Sequence, residues 1–254
     1  MSARRAPLAG KVVLVTRPRG QAEALVRLLE ARGAEAIVAP AIEVVPVRSR
    51  RLDRALAELS AGGFRWLVLT SRNGVEAVDA QLRERGARLA EVPARVAAVG
   101  EGTAEALRER GVRPALVPRT FTTEALARAF PRGEGPVLLA RADVAPSGLE
   151  EAIADKGWTA VRVDAYRTRF PRTLPAEARA ALRAGRVDAV TFTSASTVRG
   201  FVRLLGAARG NPKVVCIGPV TARAAREAGF VVHAVARPHT LEALVAAVER
   251  ALAR

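Results

Sequence analysis

Residues 98–111 read AVGEGTAEALRERG, and residues 216–229 read CIGPVTARAAREAG. Each stretch is an apolar run ending in a small-residue turn, then a Thr-Ala pair, then a helix-like segment closed by glycine. Aligned at an offset of 118, the stretches 98–130 and 216–248 agree at 14 of 33 positions, among them Gly100/Gly218, Thr103/Thr221, Gly111/Gly229, Arg119/Arg237, Thr122/Thr240 and Leu126/Leu244. Shared composition does not produce agreement of that extent in one register, so the chain reads as an internal repeat. The pairing continues outward. VVLVTRP at 12–18 matches VLLARA at 137–142 at an offset of 124, which sets Arg17 on Arg141 and Gly33 on Gly157. FRWLVLTSRNGV at 64–75 matches VDAVTFTSASTV at 187–198 at an offset of 123.

Each half alternates short apolar runs with longer helical patterns. In the first half the predicted strands are 12–16, 35–39, 66–70, 95–99 and 113–117, and the predicted helices are 21–32, 75–85, 103–110 and 122–130. Gly33 follows the first helical pattern as a stop. The strands are nearly unbroken apolar runs, as expected when helices cover both faces of a parallel sheet. The fold class is therefore α/β, with two doubly wound, flavodoxin-like parallel-sheet units. PAIEVVPV at 40–47 and DAYRTRFP at 164–171 break the pattern as extended segments, because Pro40, Pro46 and Pro171 discourage helix there. They read as linkers between domains; a simple boundary near PRGEGP at 131–136 is the alternative.

The chain has 254 residues, 50% of them hydrophobic, and supports a substantial core. Its one cysteine, Cys216, builds neither a disulfide framework nor a metal site, which fits a reducing cytoplasm. The early run VVLV is too short for a signal peptide, and no stretch approaches the ~20 apolar residues of a membrane span. A cytoplasmic protein is expected. The net charge of +16 comes almost wholly from arginine, since Lys11, Lys156 and Lys213 are the only lysines. Part is a compositional habit, and part suits an anionic partner. Nucleic acid fits poorly, because aromatics make up 4% and no helix-turn-helix, zinc-finger or RNP-type motif is present. A small polyanion fits at least as well.

In open parallel sheets, ligands bind beyond the carboxyl ends of the strands. The loops there are TRPRGQ (16–21), TSRNG (70–74), VGEGT (99–103), RADVAPSG (141–148), TSAST (193–197) and IGPVT (217–221). All offer small residues, hydroxyls and backbone N–H groups before a helix, an arrangement that favours carboxylate or phosphate. Thr103, Thr221, Ser71, Asn73, Ser194 and Ser196 read equally well as helix caps. Arg17 and Arg141 end the first strand of each copy, where they pair structurally or clamp a carboxylate. No P-loop and no complete dinucleotide fingerprint is present. His233 and His239 read as packing or solvent-facing residues, which argues against a histidine triad or a metal site. Tyr166 is the only tyrosine, set in an extended linker with Ile42 as its repeat partner. It is either a structural residue at a domain junction or a phenol placed to donate a proton.

The ordered set VLVTRP, TSRNGV, AYRT, FTSASTV and CIGPVTARAAREAG resembles the uroporphyrinogen-III synthase family over almost the whole chain. The resemblance implies two flavodoxin-like domains joined by a two-stranded linker, with exchanged segments. One domain takes 1–38 and 173–254, the other 48–164, and the linker takes 39–47 and 165–172. It also implies an activity without metal or organic cofactor. Hydroxymethylbilane, a linear tetrapyrrole, loses its hydroxyl, and the resulting azafulvene closes through a spiro intermediate to uroporphyrinogen III with the last ring inverted. Carried onto this sequence, Tyr166 assists departure of the hydroxyl, with Thr221 close by. Ser194, Ala195, Ser196, Thr197, Gly218 and Pro219 bind substrate carboxylates, chiefly through backbone N–H groups. Ser71, Asn73, Gly100 and Thr103 do so from the opposite domain, with Arg17 and Arg141 as charge partners. A monomer is expected, with transient hand-over of the bilane from the enzyme that makes it. The competing readings are a non-catalytic two-domain module for a small anionic ligand and a nucleic-acid binder.

Overall fold

A computed structural model describes residues 6–205 and 211–253. The elements run in chain order as β1 (Val12–Val15), α1 (Arg19–Glu30), β2 (Glu35–Val38), β3 (Glu43–Pro46), α2 (Arg50–Ser60), β4 (Trp66–Leu69), α3 (Arg72–Arg83), a 3₁₀ turn (Leu89–Glu91), β5 (Arg95–Ala98), α4 (Glu101–Arg108) and α5 (Thr123–Ala129). They continue as β6 (Pro136–Ala142), α6 (Gly148–Ala154), β7 (Thr159–Arg169), α7 (Ala176–Arg183), β8 (Ala189–Phe192), α8 (Ala195–Leu205), β9 (Lys213–Cys216), α9 (Pro219–Glu227), β10 (Val232–Val235) and α10 (Leu241–Leu252).

The chain divides into two compact units, Met1–Glu43 with Arg169–Arg254, and Val44–Thr168. The first unit holds a five-stranded sheet in the order β10-β9-β8-β1-β2, parallel throughout. Strand alternation splits its core in two. Leu14, Val190 and Cys216 face α7, α8 and α9, whereas Val13, Val15 and Val215 face α1 and α10. Both faces are therefore covered, and the central strands have no solvated side.

The second unit holds the order β3-β7-β6-β4-β5, with β7, β6, β4 and β5 mutually parallel. Leu67, Leu69, Leu138 and Ala140 pack against α2, α3 and α4, while Trp66, Val68, Val137 and Leu139 pack against α5 and α6. Of the segments expected as a two-stranded linker, 39–47 and 165–172, residues 43–46 form β3 and residues 165–169 are the end of β7, neighbouring strands of this sheet. The strand expected at 113–117 shrinks to one bridge between Leu116 and Ala97, since Pro114 removes a donor from the run. Conversely, α2 has no counterpart among the expected helices. Its signals are plain in the structure: Ser49 Oγ accepts the Leu52 N–H, and Leu52, Ala55, Leu56 and Leu59 share one buried stripe. Gly33 closes α1 as expected, with φ +86, and its repeat partner Gly157 has φ +96.

One close approach in the first unit tolerates only glycine. A Cβ at Gly200, inside α8, would fall on the carbonyl oxygen of Ala41. Gly102 in α4 has nothing within 4 Å of such a Cβ. Gly200→Ala is therefore expected to destabilise the protein by at least about 2 kcal/mol. Gly102→Ala should be neutral or stabilising by up to about 1 kcal/mol. Denaturant melts of the two variants check this, and equal stabilities would contradict the packing described.

Candidate active site

In the second unit, β4, β6 and β7 are neighbours, and their C-terminal ends carry Ser71 just after β4, Arg141 in β6 and Tyr166 in β7. Ser71 is the N-cap of α3. Its backbone is extended, outside the helix it precedes, and its Oγ accepts the Gly74 N–H at 3.0 Å. The same oxygen lies 2.8 Å from the Tyr166 hydroxyl. Gly74 lets this turn close tightly, because a Cβ there would sit 3.3 Å from Ser71 Oγ and 3.4 Å from Ala140 O.

Tyr166 is not in a linker outside the core. It belongs to β7, is 6% exposed, and packs with Val163 and Ala165 on the side of α2, α3 and α4. Strict alternation would place it with Arg162 on the opposite side. Pairing instead runs Arg141 with Asp164 but Ala142 with Tyr166, so β7 carries one extra residue there. This bulge turns the phenol over to meet Ser71, a common use of bulges beside functional groups. The Asp143 N–H closes it by donating to Tyr166 O at 3.1 Å.

Burial pushes the Tyr166 phenol above its ordinary range near 10.0. The Ser71 hydrogen bond, the Arg141 charge and an Asn73 hydrogen bond pull the other way, and the Asp143 charge pushes it up. The phenol therefore keeps its proton at neutral pH, with donors placed to receive a negative charge once the proton leaves.

Arg141 is 3% exposed and already engaged. Its Nη1 donates to both oxygens of Glu150 at 2.8 Å and to Pro146 O at 2.7 Å. Arg162 approaches Glu150 at 3.7 Å and donates to Ala145 O at 2.8 Å and to Ala142 O and Asp143 O at 3.2 Å. Two arginines thus hold the loop 142–147 by its carbonyls. Sequence reasoning singles out Arg141 but misses Glu150 and Arg162. The repeat holds a signal: at the offset of 124, Glu150 falls on Val26, so the acid is peculiar to one copy.

The Thr-Ala corners also need correcting. Neither Thr103 nor Thr221 caps its helix. The N-caps are Gly100 and Gly218, without side-chain bonds, and the threonines lie buried within the first turn. A Cβ on Gly100 would meet Phe121 at 2.8 Å, and one on Gly218 would touch the His239 ring at 3.4 Å. Each corner is thus roofed by the residue just before a capping threonine: Phe121 precedes Thr122, the cap of α5, and His239 precedes Thr240, the cap of α10. His233 is structural, its Nδ1 accepting the Val214 N–H at 3.0 Å.

In the first unit, β9, β8 and β1 are neighbours and carry Gly218 and Pro219, Ser194 to Thr197, and Arg17 at their ends. Ser194 and Thr197 bind each other: the Thr197 N–H donates to Ser194 Oγ at 3.1 Å, and Thr197 Oγ1 donates to Ser194 O at 2.7 Å. Thr197 is buried and committed to the turn, whereas Ser194, Ala195 and Ser196 are half-exposed and Pro219 is exposed. Arg17 is 8% exposed. Cys216, just before this edge, is buried, and burial pushes its thiol up to about 12, outside the range of a nucleophile. Among the described residues, no helix is long and apolar enough to cross a membrane.

Comparison with known proteins gives one consistent family. The model of the family described as uroporphyrinogen-III synthase HemD matches residues 23–246. The uroporphyrinogen-III synthase of Synechococcus elongatus is 34% identical over 256 residues, covering 96% of each chain. A putative uroporphyrinogen-III synthase of Methanothermobacter thermautotrophicus is 33% identical, covering 85% of this chain and 89% of its own. Among solved structures, a mutant uroporphyrinogen III synthase of the extreme thermophile Thermus thermophilus superposes with a TM-score of 0.68 at 26% identity, covering 96% of this chain and 99% of that one.

Because Tyr166 is the only tyrosine, its ionisation can be followed by ultraviolet absorbance without interference from another phenol. Its midpoint is expected above 10.0. The folded state holds this proton more tightly than the unfolded chain. Its contribution to stability is therefore complete below the ordinary phenol range and is lost as pH rises through the raised folded value. Ser71→Ala removes a hydrogen bond that favours the phenolate, so the midpoint should rise further, with about 1 kcal/mol of cap stability lost. An unmoved midpoint would show that Ser71 does not engage the phenol in solution.

Proposed function

The chain belongs to the uroporphyrinogen-III synthase family, and we propose that it cyclises hydroxymethylbilane to uroporphyrinogen III with loss of water and inversion of the last pyrrole ring. Resemblance over nearly its full length supports the reaction. The observation that carries the chemistry is the buried, protonated phenol held at a strand end by the helix-capping Ser71. An anionic-ligand module would have no need of a buried proton donor.

Tyr166 gives its proton to the bilane hydroxyl as the C–O bond breaks, the electron pair leaving on oxygen to complete water. The cationic azafulvene that remains is attacked by the far ring at its substituted carbon. The spiro intermediate fragments at its bond to the preceding bridge and closes again at the free α-carbon on the other side of the ring nitrogen. The closing ring carbon then releases a proton as aromaticity returns, and the phenolate takes it up, so the balance is loss of one water. Without the protein the bilane closes directly to the type I isomer. The protein's task is therefore to hold the chain ends in one geometry and to assist the departing hydroxyl.

The strand ends supply carboxylate donors. In the second unit we assign this role to Ser71, Asn73, Gly100 and Thr103. In the first we assign it to Arg17, Ser194, Ala195, Ser196, Gly218 and Pro219, with Thr221 orienting the substrate. Thr197 takes the smaller part of shaping its turn. We read the fold as a duplication with exchange: the first unit takes β1 and β2 from one half and β8 to β10 from the other, which supports that reading. We also read the chain as a monomer receiving its bilane by hand-over, since free bilane closes spontaneously to the wrong isomer.

Purified protein is expected to convert hydroxymethylbilane mainly to the type III isomer, measured by chromatography of the oxidised porphyrins. Only type I product would overturn the assignment. Tyr166→Phe should lower kcat roughly a hundredfold with folding intact; undiminished turnover would remove the phenol from the mechanism.

A further inference from the structure

The role of Tyr166 as proton donor leaves a question about the network behind it. A buried ion pair seldom adds stability beyond what apolar residues of similar volume provide. Yet Arg141, Glu150 and Arg162 lie together beneath the loop 142–147, and Arg141 Nε is buried without a hydrogen-bond partner among the described residues. Glu150 answers Arg141 at 2.8 Å and Arg162 at 3.7 Å, and Arg162 also approaches Asp164 at 3.6 Å. Besides Arg141, the charge that acts on the phenol is Asp143, 27% exposed and 3.8 Å from Arg167. Asp164 and Arg167 are 45% and 57% exposed and are screened by solvent, whereas Arg141 is 3% exposed. From α3, the groups meeting the phenol are the neutral Ser71 and Asn73.

Resting on the reading of Tyr166 as donor, we propose that Arg141 and Glu150 are positioning residues for it: with Arg162 they fix the loop and the bulge that aim the phenol at Ser71, and the buried Arg141 charge favours, through space, the phenolate left by proton donation. Three observations join here. Arg141 is the strand residue at which the pairing of β6 and β7 slips. The loop it anchors supplies the Asp143 N–H that binds the Tyr166 carbonyl. Among the charges that act on the phenol, that of Arg141 is buried and favours the phenolate. Glu150 acts through Arg141, holding the guanidinium in place and tempering its field.

The test uses the phenol's own absorbance, which needs no substrate. Arg141→Met removes the cation at similar volume and should raise the Tyr166 midpoint by about one unit. Arg141→Lys should restore most of that shift. Glu150→Gln leaves the cation less compensated and should lower the midpoint. With hydroxymethylbilane, Arg141→Met should reduce kcat about tenfold with KM within about twofold. A merely structural role predicts that Arg141→Met and Glu150→Gln both loosen the loop and move the midpoint down together, with Lys no better than Met; that result, or an unmoved midpoint, overturns the proposal. Loss of activity in Tyr166→Phe is read separately, so failure of the donor assignment and failure of the positioning assignment remain distinct. If Arg141→Met does not fold, Arg141→Lys decides the matter: a midpoint close to that of the unchanged protein supports the proposal, and a clearly lowered one overturns it.

Discussion

Between Arg141 and Ala142 the pairing of β6 with β7 slips by one residue, and the side on which the only phenol of the chain emerges depends on that slip. Without it, alternation would send Tyr166 toward α6, the side of the sheet where Arg141 meets Glu150. With it, the ring joins the core beneath α3 while its hydroxyl reaches the strand end. The bulge is stabilised from both directions, by the Asp143 N–H on the Tyr166 carbonyl and by arginines on the carbonyls of the following loop. The irregular register thus encloses the ring and still brings its hydroxyl to the helix-capping Ser71 at the strand end.

The sheets explain why polar chemistry gathers where it does. Strands buried on both faces can carry hydroxyls and charges internally only when these are answered, as Thr16 and Thr191 are, each bonding the carbonyl of the neighbouring strand. Unanswered polar groups are left to the strand ends, where turns and helix starts provide N–H donors. In the function proposed above, the large positive balance of the chain is a general field for a polycarboxylate, and selection among positions is assigned to these few turns.

Much of this is legible in the sequence because parallel strands leave unbroken apolar runs. The run 113–117 has the same composition, but Pro114 and a single bridge make it an edge fragment. The helix α2 is masked by the proline-marked extended segment beside it, although Ser49 and the Leu52, Leu56 and Leu59 spacing announce it. Tyr166 stands out by its rarity. Its burial does not, since a bulge is a property of two strands paired in space and leaves no period in either one. Glu150 and Arg162 are likewise invisible as a pair, being brought together only when α6 folds onto β7. Thr103 and Thr221 show the converse: their position at a helix start suggests caps, but glycine corners roofed by Phe121 and His239 begin those helices nearly one turn earlier.

The division of the chain has a consequence for its birth. Val44–Thr168 is continuous, so every strand of its sheet has been made once Thr168 is in place. The other unit is split: β1 and β2 are made first, yet β1, a central strand, waits for β8 to cover its open edge. During synthesis those two apolar strands stand exposed while the later unit closes ahead of them. The stretch in need of chaperone protection is therefore one made well before the strands that cover it.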